Sequence, residues 1–84
     1  MMKILYFAWL RERVGLPEEV VEPPAEVETV AGLMDWLAGR DDAHAYAFEN
    51  RKVVRAAIDQ VHVKPGTAIS GAREIAFFPP MTGG

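Results

Sequence analysis

From Lys3 the chain runs apolar to Leu10, with Ile4, Tyr6, Ala8 and Leu10 on one side of an extended backbone and Leu5, Phe7 and Trp9 on the other. That alternation predicts a strand with two apolar faces, so either both are covered or one meets a partner. Arg11-Glu12-Arg13 ends the run, and Gly15 with Pro17 marks a turn. Glu18 to Val21 then predicts a second strand that closes a hairpin. Pro23-Pro24 excludes a helix across that point and serves as a connector. Past Thr29, whose hydroxyl suits an N-cap, Val30, Leu33, Met34 and Leu37 recur at helical spacing, and Gly39 is placed to end the helix in a left-handed conformation. Trp36 is expected at the edge of that helix. Asp41-Asp42 is placed to start a short second helix toward Phe48, with His44 expected on its surface.

After a turn at Asn50-Arg51-Lys52, a strand is expected from Val53 to about Asp59. Asp59-Gln60 makes a tight connection into Val61-His62-Val63, the valines expected inward and His62 outward. Pro65-Gly66 and Ser70-Gly71 are turn signals, and the last strand runs from Glu74 to Phe78. Ile75 and Phe77 face one way in it, Ala76 and Phe78 the other. The order predicts an α+β domain, a mixed sheet crossed by one main helix.

Composition narrows the chemistry. The chain has 84 residues, half of them hydrophobic and 25% charged, with a net charge of −3. A domain of this size buries only about 60% of its unfolded surface, too little for a deep active-site cleft. The interspersed charges give no footprint for nucleic acid or anionic membrane, and no apolar run approaches the roughly 20 residues needed to span a bilayer. The start shows no signal-peptide pattern, so a cytoplasmic location is expected. Without cysteine there is no disulfide, thiolate nucleophile or Cys metal site, and His44 and His62 lack the spacing of a metal pair. No phosphate-binding glycine motif or nucleophile elbow occurs.

The terminal carboxyl group is the candidate. Ile75 to Gly84 holds no ionisable side chain. Pro79 and Pro80 stiffen the exit from the last strand, whereas Gly83 and Gly84 lack a Cβ and suit a narrow channel. Fully extended, residues 79–84 reach about 20 Å, at roughly 3.3–3.6 Å per residue. The expected organisation is a folded body over residues 1–78 and an extended tail over 79–84. A frayed end or expression scar is the plain alternative, but a frayed tail rarely starts from an apolar strand such as the one ending in Phe77-Phe78-Pro79-Pro80.

The ending AFFPPMTGG and the start KILYFAWLRERVG resemble the small, sulfur-carrying subunits of molybdopterin synthase. The resemblance spans essentially the whole chain, strongest at its ends and weakest from about Pro17 to Asn50. It implies a ubiquitin-like β-grasp with the first and last strands parallel neighbours at the sheet centre. It also implies that Gly84 is adenylated by an ATP-consuming activating enzyme of the ubiquitin-activating kind, then converted to a thiocarboxylate by a sulfur donor. Seated in the large synthase subunit, in a two-plus-two heterotetramer, the thiocarboxylate attacks a cyclic pyranopterin monophosphate. Gly83 permits insertion, while the segment through Pro79, Pro80, Met81 and Thr82 positions the arm; the carrier itself binds no cofactor. With the outer strands adjacent, Phe7 and Phe78 would share an exposed docking patch with His62 beside it, although relatives often carry a plain hydrophobe at that position. Ala72-Arg73-Glu74 also departs from an acidic turn in relatives. Other readings are a carrier for thiamine, a modifier conjugated to lysines, and a non-enzymatic β-grasp interaction domain.

Overall fold

A computed structural model of the chain describes residues 1–80. Five strands form one sheet in the order β2-β1-β5-β3-β4. They are β1 (Met2–Tyr6), β2 (Glu18–Val21), β3 (Arg55–Ile58), β4 (Val61–Val63) and β5 (Glu74–Phe78). Between them lie helices α1 (Trp9–Val14), α2 (Val30–Ala38) and α3 (Asp42–Ala47), and a 3-10 turn at Arg51–Val53. Strands β1 and β5 run parallel, with Ile4 opposite Ile75 and Tyr6 opposite Phe77, and all other pairings are antiparallel. This mixed sheet, with helices over one face, is the expected β-grasp.

The core is the layer between sheet and helices. Ile4 and Tyr6 of β1, Ile75 and Phe77 of β5, and Leu33 and Leu37 of α2 are essentially inaccessible to solvent. Thr29 caps α2 as expected, its hydroxyl accepting from the Gly32 N–H at 3.1 Å. The next free donors of that helix reach the loop after β4: Val30 N–H donates to Thr67 O and Ala31 N–H to Pro65 O. Helix α1 is tied to α3 by Arg13, whose guanidinium lies 4.6 Å from the Trp9 ring centre and 4.1 Å from that of Tyr46.

Several expectations need correction. The first strand stops at Tyr6 rather than Leu10, because Ala8 adopts φ 55°, ψ −133° and the chain turns into α1. Leu10 therefore enters the core from a helix, with Val14 one turn on. Gly39 ends α2 at φ −83°, not in the left-handed region. The strand expected from Val53 starts at Arg55, since residues 51–53 coil as a 3-10 turn. Val61 is not inward: near the end of edge strand β4 it is 64% exposed. The Asp59-Gln60 connection is tight as read, and both residues take positive φ (47° and 74°).

Candidate functional site

Phe78 is the last residue of β5, and the side-chain alternation of a strand decides what each of its neighbours can do. Phe77 turns inward and is fully buried. It packs edge-on against Phe48 (ring centres 5.2 Å apart, 83° between planes) and lies 6.5 Å from the Tyr6 ring. Phe78 turns the other way, onto the sheet face that carries no helix, and is half-buried. The end of β5 is thus fixed by an aromatic core on one side and half-exposed on the other.

On that open face His62 sits beside Phe78, their ring centres 5.1 Å apart. The register brings them together, because His62 pairs with Ala57 and Ala57 with Ala76, two residues before Phe78. Phe7 is 47% exposed, and its backbone N–H donates to Phe77 O at 3.1 Å, which sets it level with the tail root. Pro79 and Pro80 follow half-buried. Met81, Thr82, Gly83 and Gly84, which hold the expected reactive end, lie outside the described residues.

A second cluster lies under the sheet, and sequence reasoning missed it. His44, expected on the surface, is buried, with both ring nitrogens 2.7 Å from carboxylate oxygens: Nδ1 to Asp41 and Nε2 to Glu19. Glu19 also accepts from the Tyr6 hydroxyl at 2.6 Å and from Arg40 at 3.0 Å. Burial works to raise the Glu19 pKa, but the hydrogen bonds from His44 and Tyr6, with the charges of His44 and Arg40, together hold it below the usual carboxylate value. Burial first, then the bond to Glu19, pushes the Tyr6 phenol far up, so it remains a donor. Asp41 is lowered chiefly by the His44 backbone N–H, which its side chain caps at 2.8 Å. The one local signal was Asp41 three residues before His44. Glu19 lies 25 positions from His44, beyond any periodicity.

This cluster ties β2 and α3 to β1 and so braces the strand beside the tail root; its position makes it structural. Among the described residues, no three His, Cys, Asp or Glu side chains are arranged to hold a metal. No helix among them is long and apolar enough to cross a membrane.

Comparison with known proteins agrees with this geometry. The chain is 39% identical over 84 residues to a molybdopterin synthase sulfur carrier subunit of Escherichia coli strain K12, covering 100% of both chains. It is 34% identical, again over the full length of both, to the protein of the same name from Haemophilus influenzae. The crystal structure of small archaeal modifier protein 1 from H. volcanii superposes with a TM-score of 0.73 at 27% identity, covering 95% of this chain and 97% of that one. The ThiS family model matches residues 4–84. The chain belongs to the ThiS family.

Proposed function

We propose that this chain is the sulfur carrier subunit of a molybdopterin synthase, acting in molybdenum cofactor synthesis with a large subunit as its partner. The observation that carries the reading is the full-length likeness to two proteins of that name, at 39% and 34% identity. In this reading residues 1–78 are the body and residues 79–84 the arm. Gly84 is the reactive residue, and Gly83 lets the arm pass where a Cβ would obstruct it.

The chemistry follows from what a carboxylate lacks. It is a poor electrophile, so an activating enzyme first joins the Gly84 carboxylate to the AMP portion of ATP, releasing pyrophosphate. A sulfur donor then displaces AMP, leaving a thiocarboxylate whose anionic sulfur is a good nucleophile, as thiolates are. In the large subunit that sulfur attacks a cyclic pyranopterin monophosphate, and hydrolysis of the resulting acyl link returns the Gly84 carboxylate. Two carriers acting in turn supply the two sulfurs of the dithiolene, which fits a two-plus-two assembly. ATP is spent on the activating enzyme, and the carrier needs no cofactor of its own. The rigid root at Phe77 supports the reading, because an arm anchored this way enters a partner with little freedom left to lose. Phe7, His62 and Phe78 form the docking patch beside it.

The likeness to a small archaeal modifier protein favours a second reading, in which Gly84 is joined to lysines of other proteins. Intact-mass analysis after incubation with the activating enzyme, ATP and a sulfur source separates the two. Carriage predicts one oxygen of the last residue replaced by sulfur. An unchanged mass, or conjugates to lysine as the sole product, would overturn it.

A further inference from the structure

The register fixes which side chains stand together on the open face. The row nearest the tail holds Phe7, Phe78 and Arg55, since Arg55 pairs with Phe78. The pair Ala56 and Val63 is the last of the β3–β4 ladder, so Lys64, the residue after β4, follows level with Arg55. One row back stand Glu18, Leu5, Ala76, Ala57 and His62. The face is therefore apolar along its middle and charged at its sides.

Its two sides differ. On the β2 side Glu18 is neutralised by Lys3 at 3.3 Å. On the β3–β4 side Arg55 and Lys64 are both exposed, and among the described residues neither enters an ion pair. Among the described residues the one hydrogen bond of the Arg55 side chain goes to the Lys52 backbone carbonyl at 3.2 Å, a neutral acceptor that leaves the guanidinium without a counter-ion. Like charges in facing positions of adjacent strands are destabilising. A chain of net charge −3 has thus placed two uncompensated cations opposite each other, beside the root of its tail. Among the described residues no carboxylate pairs with either cation, and such a local departure from charge pairing points to a functional site.

We propose that Arg55 and Lys64 form a cationic flank that selects the partner: the surface receiving the Phe7–Phe78 patch carries carboxylates opposite these two residues. The inference rests on the reading of this chain as a carrier, and it gives the large synthase subunit an apolar seat with an acidic edge. Two cations beside a largely apolar face suit a protein partner rather than a polyanion, whose binding draws on many phosphate contacts. Charges at the rim of an interface act mainly on the rate of association and its salt dependence.

The test measures association of the large subunit from the same organism with the parent, with R55Q/K64Q and with R73E. The last two change net charge equally, but Arg73 lies beyond the opposite end of β5, beside Glu74. R55Q/K64Q should associate about tenfold more slowly at roughly 50 mM salt, with the gap closing at roughly 500 mM as the charges are screened. R73E should stay within about twofold of the parent. R55Q/K64Q should also melt at or above the parent temperature, because a repulsion has been removed. Association of R55Q/K64Q at the parent rate, or slowing of R73E by as much, overturns the flank alone. Failure of the parent to bind the large subunit overturns the carrier reading as well.

Discussion

Glu19 is the residue on which the packing beside the tail root converges. It accepts from Tyr6, His44 and Arg40, and so joins β1, β2, the end of α2 and α3. Glu19 and Asp41 both have their pKa lowered on folding. Such a group stabilises the fold above the ordinary carboxylate range, and the contribution is lost as pH falls through the lowered folded value. The melting temperature should therefore be flat near neutral pH and drop below about pH 4. Glu19→Gln should cost about 1–3 kcal/mol at neutral pH, by leaving the Arg40 guanidinium without its carboxylate and the Tyr6 hydroxyl poorly matched, and should flatten the acid-side drop. Thermal melts of both proteins from acid to neutral pH check this; an equally steep acid limb in the variant would remove Glu19 from the explanation. Of this, the sequence carried only Asp41 at the start of α3, three residues before His44. His44 shares its helix face with the buried Ala47 and Phe48, a stripe too short to outweigh a polar side chain, and its partner Glu19 lies on β2.

At the scale of the element, the turn from β1 into α1 shows where pattern reading stops. The apolar run from Ile4 to Leu10 is continuous, and a short continuous run does not distinguish strand from helix. Ala8 offered no turn signal, yet it takes φ 55°, a conformation that favours glycine. Leu10 N–H donates to Phe7 O at 3.2 Å across it, and Tyr6 and Leu10, both buried, hold it from either side. Backbone strain of this kind costs about 1–3 kcal/mol, while glycine adds about 0.5–1 kcal/mol of unfolded-state entropy. Ala8→Gly should therefore stabilise the domain by about 1 kcal/mol, raising the melting temperature by about 4–8 °C. A lowered melting temperature would mean that the turn is not strained. The last strand, by contrast, was read to the residue. Ser70-Gly71 and Pro79 punctuate it on either side, and its alternation separates Phe77 from Phe78 unambiguously. The α2 cap was equally legible because Thr29 acts on its own first turn. The Thr29 cap and the alternation of β5 survived folding, whereas the left-handed stop at Gly39 did not, and the burial of His44 depended on a distant partner.

For the whole molecule, the question is whether function resides in the body or in the end of the chain. The core residues lie between Met2 and Phe77, and the aromatic set of Tyr6, Phe48 and Phe77 closes that core directly beneath Phe78. Changes at the last two residues therefore leave every described core contact in place. On the carrier reading proposed above, extending the chain beyond Gly84 removes the free carboxyl that adenylation and sulfur transfer would use. Replacing Gly83 by a bulky residue leaves the carboxyl in position but gives the arm a side chain to bring into the partner. Both variants should melt near the parent temperature, to within about 0.5 kcal/mol, since neither touches a described core contact. Both should lose nearly all product formation in reconstituted synthase. They should fail at different steps: the extended chain at thiocarboxylate formation, seen by intact mass, and the Gly83 variant at transfer after normal loading. Molybdopterin formation by an extended chain that is never trimmed would show that the terminal carboxyl is not the carrier, and the body would then have to supply the function as an interaction domain.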